Sequence, residues 1–134
     1  MSAFTTRLRT DCLDGWHFEL VEEFDFASDT LERMVRVPVG FVTDFASIPF
    51  PFSAIWPPTG PYGKAAVVHD MLYQHPECLA PRVTWMQANR ALLEGMDALR
   101  VGWLTRHAIF WGVCLGGWVV WGRYRQREQQ GAHQ

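Results

Sequence analysis

The chain has 134 residues, 49% of them hydrophobic, and 12 Lys+Arg against 14 Asp+Glu give a formal net charge of −2. That length suits one domain able to bury a core without metal or disulfide staples, and the charge supplies no general field for nucleic acid, which argues against such a partner. Three widely spaced cysteines, Cys12, Cys78 and Cys114, form no CxxC or Cys/His cluster of the zinc type and suit a reducing compartment.

The opening MSAFTTRLRTDCLDG has no apolar run behind its basic residues, so no secretory signal is expected and synthesis is placed in the cytoplasm. Residues Trp16 to Phe26, WHFELVEEFDF, alternate roughly between large apolar and polar side chains, which predicts a half-buried strand. Ala27 to Thr30 reads as the turn and Glu32 to Val39 as the return strand, with Pro38 near its end, where a missing N–H does little harm. A short strand over Thr5 to Arg9 would add a third member.

Between Gly40 and Gly63 lie Pro49, Pro51, Pro57, Pro58 and Pro61, which rule out a long helix or a central strand. An ordered loop packed by Phe45, Ile48, Phe50, Phe52, Ile55 and Trp56 is expected instead. Gly63 to Gln74, GKAAVVHDMLYQ, then predicts a helix, with Ala65, Val68 and Leu72 on one face and His69 and Tyr73 sharing an adjacent one.

Thr84 to Leu99 predicts a second helix, N-capped by Thr84, with Met86, Leu92, Leu93, Met96 and Leu99 as its apolar stripe and Arg100-Val101-Gly102 as its stop. A third runs from Trp103 to about Trp121. The polar tail GRYRQREQQGAHQ is expected to be disordered, so that 1–122 form a single domain and 123–134 a basic tail.

His69-Asp70 is the pair that could carry chemistry. A neutral imidazole can take a proton, and a carboxylate can hold a hard cation. On a helix their side chains diverge by roughly 100°, so each needs its own partner. Asp44, in the preceding loop, is the candidate to orient His69 or to share a cation with Asp70, with Thr43 and Ser47 near that turn. The same residues equally suit a buried, fully hydrogen-bonded polar cluster that locks the loop onto the helix.

GFVTDFASIP, the aromatic and proline-rich loop behind it, and AAVVHDMLY together resemble the domain of unknown function 1353 family of bacteriophages and prophages. The likeness runs from the first hairpin through the helix containing QANRALLEGM. It implies a phage or prophage origin, makes Asp44, His69, Asp70 and Tyr73 part of the family's motif, and implies no activity. It also implies an Ala-Asp pair in the second helix, where this chain has Ala88-Asn89, so a role needing a carboxylate there is in doubt. HDMLY is further similar to the His-Asp-x-x-Tyr helix of secreted and parvoviral phospholipases, although GPYG at 60–63 abuts the helix too closely to match their calcium loop and their framing cysteines are absent.

Ile109 to Trp121, IFWGVCLGGWVVW, is apolar throughout but shorter than the about 20 residues a bilayer core requires. Trp103, Trp111, Trp118 and Trp121 with Arg123, Arg125 and Arg127 resemble an aromatic belt beside a positive flank, and Gly112, Gly116 and Gly117 permit close helix packing. The family resemblance implies a closing helix packed on the domain. Membrane contact through 103–121 is the alternative.

The expected fold is α+β: a small N-terminal antiparallel β-hairpin or three-stranded sheet, a packed proline-rich loop, then three helices. One functional reading is a metal-dependent hydrolase of a phage or prophage acting on the host envelope. In it His69 is the base, Asp44 fixes its tautomer, Tyr73 supports the network, and Asp70 and Asp44 hold a divalent cation, calcium or zinc. The other is a non-catalytic virion (tail) or host-interaction protein whose His-Asp cluster is structural. Phage virion proteins or host envelope components are the expected partners, and the host cytoplasm, the virion or the periphery of the inner membrane the expected locations.

Overall fold

A computed structural model describes residues 3–4, 8–13, 17–43 and 63–132. The fold is α+β, as the sequence predicts. Among the described residues, six short strands, β1 (Ala3–Phe4), β2 (Thr10–Cys12), β3 (Phe18–Leu20), β4 (Phe24–Ser28), β5 (Arg33–Val37) and β6 (Val42–Thr43), precede helices α1 (Gly63–Gln74), α2 (Trp85–Ala98) and α3 (Trp103–Ala132). A 3₁₀ turn, Pro76–Cys78, links the first two helices. The expected proline-rich loop and its packing residues, Phe45 to Trp56, lie outside the described residues.

The strands form two antiparallel three-stranded sheets, ordered β1-β4-β5 and β2-β3-β6. The single strand expected over Trp16–Phe26 is therefore two strands in different sheets. The backbone breaks at Val21-Glu22, where Val21 donates to the Arg9 carbonyl and Leu20 is tied to Phe41. Of the strand expected over 5–9, residues 5–7 lie outside the described residues and Leu8-Arg9 is not strand, while strands stand on either side at Ala3–Phe4 and Thr10–Cys12.

The β4–β5 turn likewise comes later than Ala27–Thr30, because Ala27 and Ser28 stay in register with Met34 and Arg33. Glu94 of α2 holds that turn: its carboxylate accepts from the Ser28 hydroxyl at 2.6 Å and from the Asp29 and Thr30 backbone N–H groups at 2.9 Å each. At Pro38–Phe41 the chain reverses through a turn whose third residue, Gly40, has φ of 89°, a conformation that glycine reaches without a Cβ clash.

Alternation puts Phe24, Phe26, Val35 and Val37 in the core, as period-2 patterning requires. Phe4 stacks on Phe26 with centroids 4.5 Å apart. Helix α1 is buried on nearly every side, the state of a helix apolar all round, and it packs against α2, α3, β5 and β6. It comes close to α2 because Gly95 has no side chain there; a Cβ would stand 2.9 Å from that of Ala65.

Helix α2 begins as expected at Thr84, whose side chain accepts from the Gln87 N–H while Gln87 reaches back to the Thr84 N–H, a capping box. Its end is a Schellman closure: Arg100 has φ of 60°, Val101 N–H bonds the Met96 carbonyl, and Arg100 N–H bonds that of Asp97.

Helix α3 departs from expectation at its end. The tail predicted to be disordered continues the helix to Ala132. Arg125 donates to the backbone carbonyls of Tyr73 at 2.6 Å and Gln74 at 3.3 Å, satisfying carbonyls that the end of α1 leaves open. Glu128 pairs with both Arg82 and Arg125, and the Arg125 guanidinium stacks over Trp121.

Candidate functional site

His69 and Tyr73, one turn apart on α1, face the same way, their ring centroids 4.1 Å apart. They meet Asn89 of α2. The Tyr73 hydroxyl donates to Asn89 Oδ1 at 2.6 Å, and His69 Nε2 lies 2.9 Å from the same oxygen. An amide oxygen only accepts, so Nε2 carries the proton of this bond, and Nδ1 is shut off from solvent. The Asn89 amide in turn points its N–H group at Cys114 Sγ of α3, 3.8 Å away.

Helices α1, α2 and α3 thus meet at one side chain. His69 is 2% exposed and Asn89 fully buried. Tyr73 packs edge-on to Trp121, and its hydroxyl lies against Gly117, where the indole N–H of Trp85 also approaches. Burial pushes the Tyr73 hydroxyl well above its ordinary value, while the nearby indole N–H of Trp85 acts more weakly in the other direction. Burial likewise raises the Cys114 thiol, against a smaller opposing effect of its bond to Asn89.

Asp70 faces elsewhere, as one step around a helix requires. Its Oδ1 is 3.5 Å from the Tyr124 hydroxyl of α3, and it lines a pocket of about 200 Å³ with His17, Val42, Gln74, Tyr124 and Arg127. Thr43 is buried in β6, opposite Phe18. Asp44 and Ser47 lie outside the described residues, and so does the convergence of Asp44 on His69-Asp70. Among the described residues no group of three or more His, Cys, Asp or Glu side chains could hold a metal ion.

Asn89 is the member that reading for chemistry passed over as a site. Its signal was present: it stands three residues before Leu92 and seven before Met96, a polar side chain on the stripe that faces the core. A buried amide there must find partners, and His69 and Tyr73 are those partners. An amide supplies no negative charge, so what joins His69 and Tyr73 to Asn89 is hydrogen bonding and not ion pairing.

Comparison with known proteins gives one match. The sequence model of a family described as "Protein of unknown function (DUF1353)" matches residues 18–113, a span that holds β3 to the first turns of α3 and the whole polar junction. No curated protein and no solved structure matches.

Proposed function

The chain belongs to the DUF1353 family, whose description assigns no activity, and from that premise we propose that it is a non-catalytic interaction protein of a phage or prophage. In this reading it is a virion (tail) or host-interaction component, and His69, Tyr73 and Asn89 lock its helices together.

The observation that carries the reading is the shared acceptor: Asn89 Oδ1 takes both the Tyr73 hydroxyl and the His69 Nε2–H in a site closed to solvent. A general base must point a lone pair at its substrate or a water, whereas Nε2 gives its N–H to Asn89 and Nδ1 is closed to solvent. The phage assignment is supported by the likeness of GFVTDFASIP and AAVVHDMLY to the family's motif.

His69→Ala and Asn89→Ala should each lower stability by about 2–4 kcal/mol, because each leaves a buried polar group without its partner. His69→Gln, which keeps an N–H, should recover part of that. Unchanged stability in His69→Ala, together with lost phage propagation, would overturn the structural role and return the site to catalysis. Depletion from an infected lysate when particles are sedimented marks a virion component, and retention in the supernatant a host-interaction factor.

The pocket beside Asp70 supports a second reading, a hydrolytic or metal-binding site on Asp44, His69 and Asp70. A cation bound only by the native state raises the melting temperature. Calcium, magnesium or zinc should then stabilise the parent protein and not Asp70→Asn; no response to any of the three would remove this reading.

A further inference from the structure

Helix α3 gives the core only part of its surface. Ile109 and Val113 are buried, yet Leu104 is 75% exposed, Leu115 73%, Trp118 62% and Trp111 60%. Leu104, Trp111 and Trp118 recur every seven residues and Leu115 lies four beyond Trp111, so the four fall in one stripe along the outer face. Val119 forms an edge of that stripe, and the exposed Arg123 follows it one turn on.

Charge identifies what would cover it. Residues 98–127 contain Arg100, Arg106, Arg123, Arg125 and Arg127 and no Asp or Glu, in a chain whose net charge is −2. Arg106 approaches Asp97 and Arg125 pairs with Glu128, and Arg127 turns to the pocket beside Asp70, while Arg100 and Arg123 stay exposed beyond the two ends of the stripe. A second copy laid along it in either direction would bring arginine-bearing ends together, and the carboxylates next to those ends, Asp97 and Glu128, already face arginines of their own chain. An apolar face rich in tryptophan and flanked by cations matches an anionic bilayer surface, where indole rings sit at headgroup level and arginines meet lipid phosphates.

We propose that α3 docks this protein on the surface of an anionic phospholipid bilayer, with Leu104, Trp111, Leu115 and Trp118 in the headgroup region and Arg123, at the edge of the stripe, against lipid phosphates. The helix lies on the bilayer and does not cross it; no helix among the described residues is long and apolar enough to span one. This goes beyond the reading of the polar junction and does not depend on it.

The test is co-sedimentation of the full chain with phosphatidylglycerol-containing vesicles and with pure phosphatidylcholine vesicles, alongside tryptophan emission and analytical ultracentrifugation without lipid. Binding to the anionic vesicles with a blue shift, weakened by salt, is expected. Leu115→Glu/Trp118→Glu should weaken it by roughly tenfold or more and, separately, Arg123→Glu by about tenfold, with thermal melts showing that both variants fold. No binding of the folded parent to anionic vesicles, or equal binding to both kinds, overturns the proposal. So does self-association that the stripe variant abolishes while vesicles capture nothing, which would assign the face to a second copy.

Discussion

At Gly117 the backbone of α3 runs against the Tyr73 hydroxyl, leaving no room for a Cβ, whereas at Gly122, in the same helix, a Cβ would meet nothing within 4 Å. Gly117→Ala is therefore expected to lower stability by about 1–3 kcal/mol through overpacking, and Gly122→Ala to raise it by up to about 1 kcal/mol through helix propensity. Thermal melts of the two variants would read opposite signs. Tyr73 also fixes a pH dependence. Its folded-state hydroxyl titrates above the ordinary 10.0, so the unfolded chain gives up this proton first. Its contribution to stability is intact below that value and is lost as pH rises from there towards the folded-state value. Denaturation followed across the alkaline range should show this loss in the parent and a shallower one in Tyr73→Phe.

Among the elements, the joint between sheet and helices runs through one carboxylate. Glu94 reaches from α2 to the β4–β5 turn and accepts from Ser28, Asp29 and Thr30, while the Ser28 hydroxyl accepts in turn from the Leu31 N–H at 3.0 Å. Glu94→Ala breaks all three carboxylate contacts. Charged hydrogen bonds of this kind contribute about 1.5–3 kcal/mol when shielded, and water can replace the two exposed backbone partners, so a loss near the lower end is expected in a denaturant titration. Cooperative unfolding with unchanged slope would show that the joint weakens without splitting the fold.

In the molecule as a whole, the end of α3 closes the structure. Beyond Gly122 it supplies Tyr124 to Asp70, Arg125 to the last carbonyls of α1, and Glu128 to Arg82. Removing residues 123–134 should therefore lower stability by roughly 2–4 kcal/mol, mostly through the buried Arg125 contacts, since exposed pairs such as Arg82–Glu128 contribute little. A truncated chain that melts with the parent would show that this end is only a tail.

Patterns confined to one element were legible in the sequence. The spacing of Ala65, Val68 and Leu72 predicted α1 over Gly63–Gln74, and Thr84 predicted the start of α2, because helical periodicity and capping depend on residues at most four apart. That His69 and Tyr73 share one face was legible for the same reason. What tertiary structure decided were pairings distant in the chain. WHFELVEEFDF became two strands once Leu20 bonded Phe41, and the basic end of α3 became helix because Arg125 found carbonyls 52 and 51 residues earlier. Asn89, a single amide on an apolar stripe, became the junction of three helices only when packing brought His69 and Tyr73 to its oxygen. The alternation and capping rules act locally, whereas the partner of a buried polar group is fixed by whichever elements close around it.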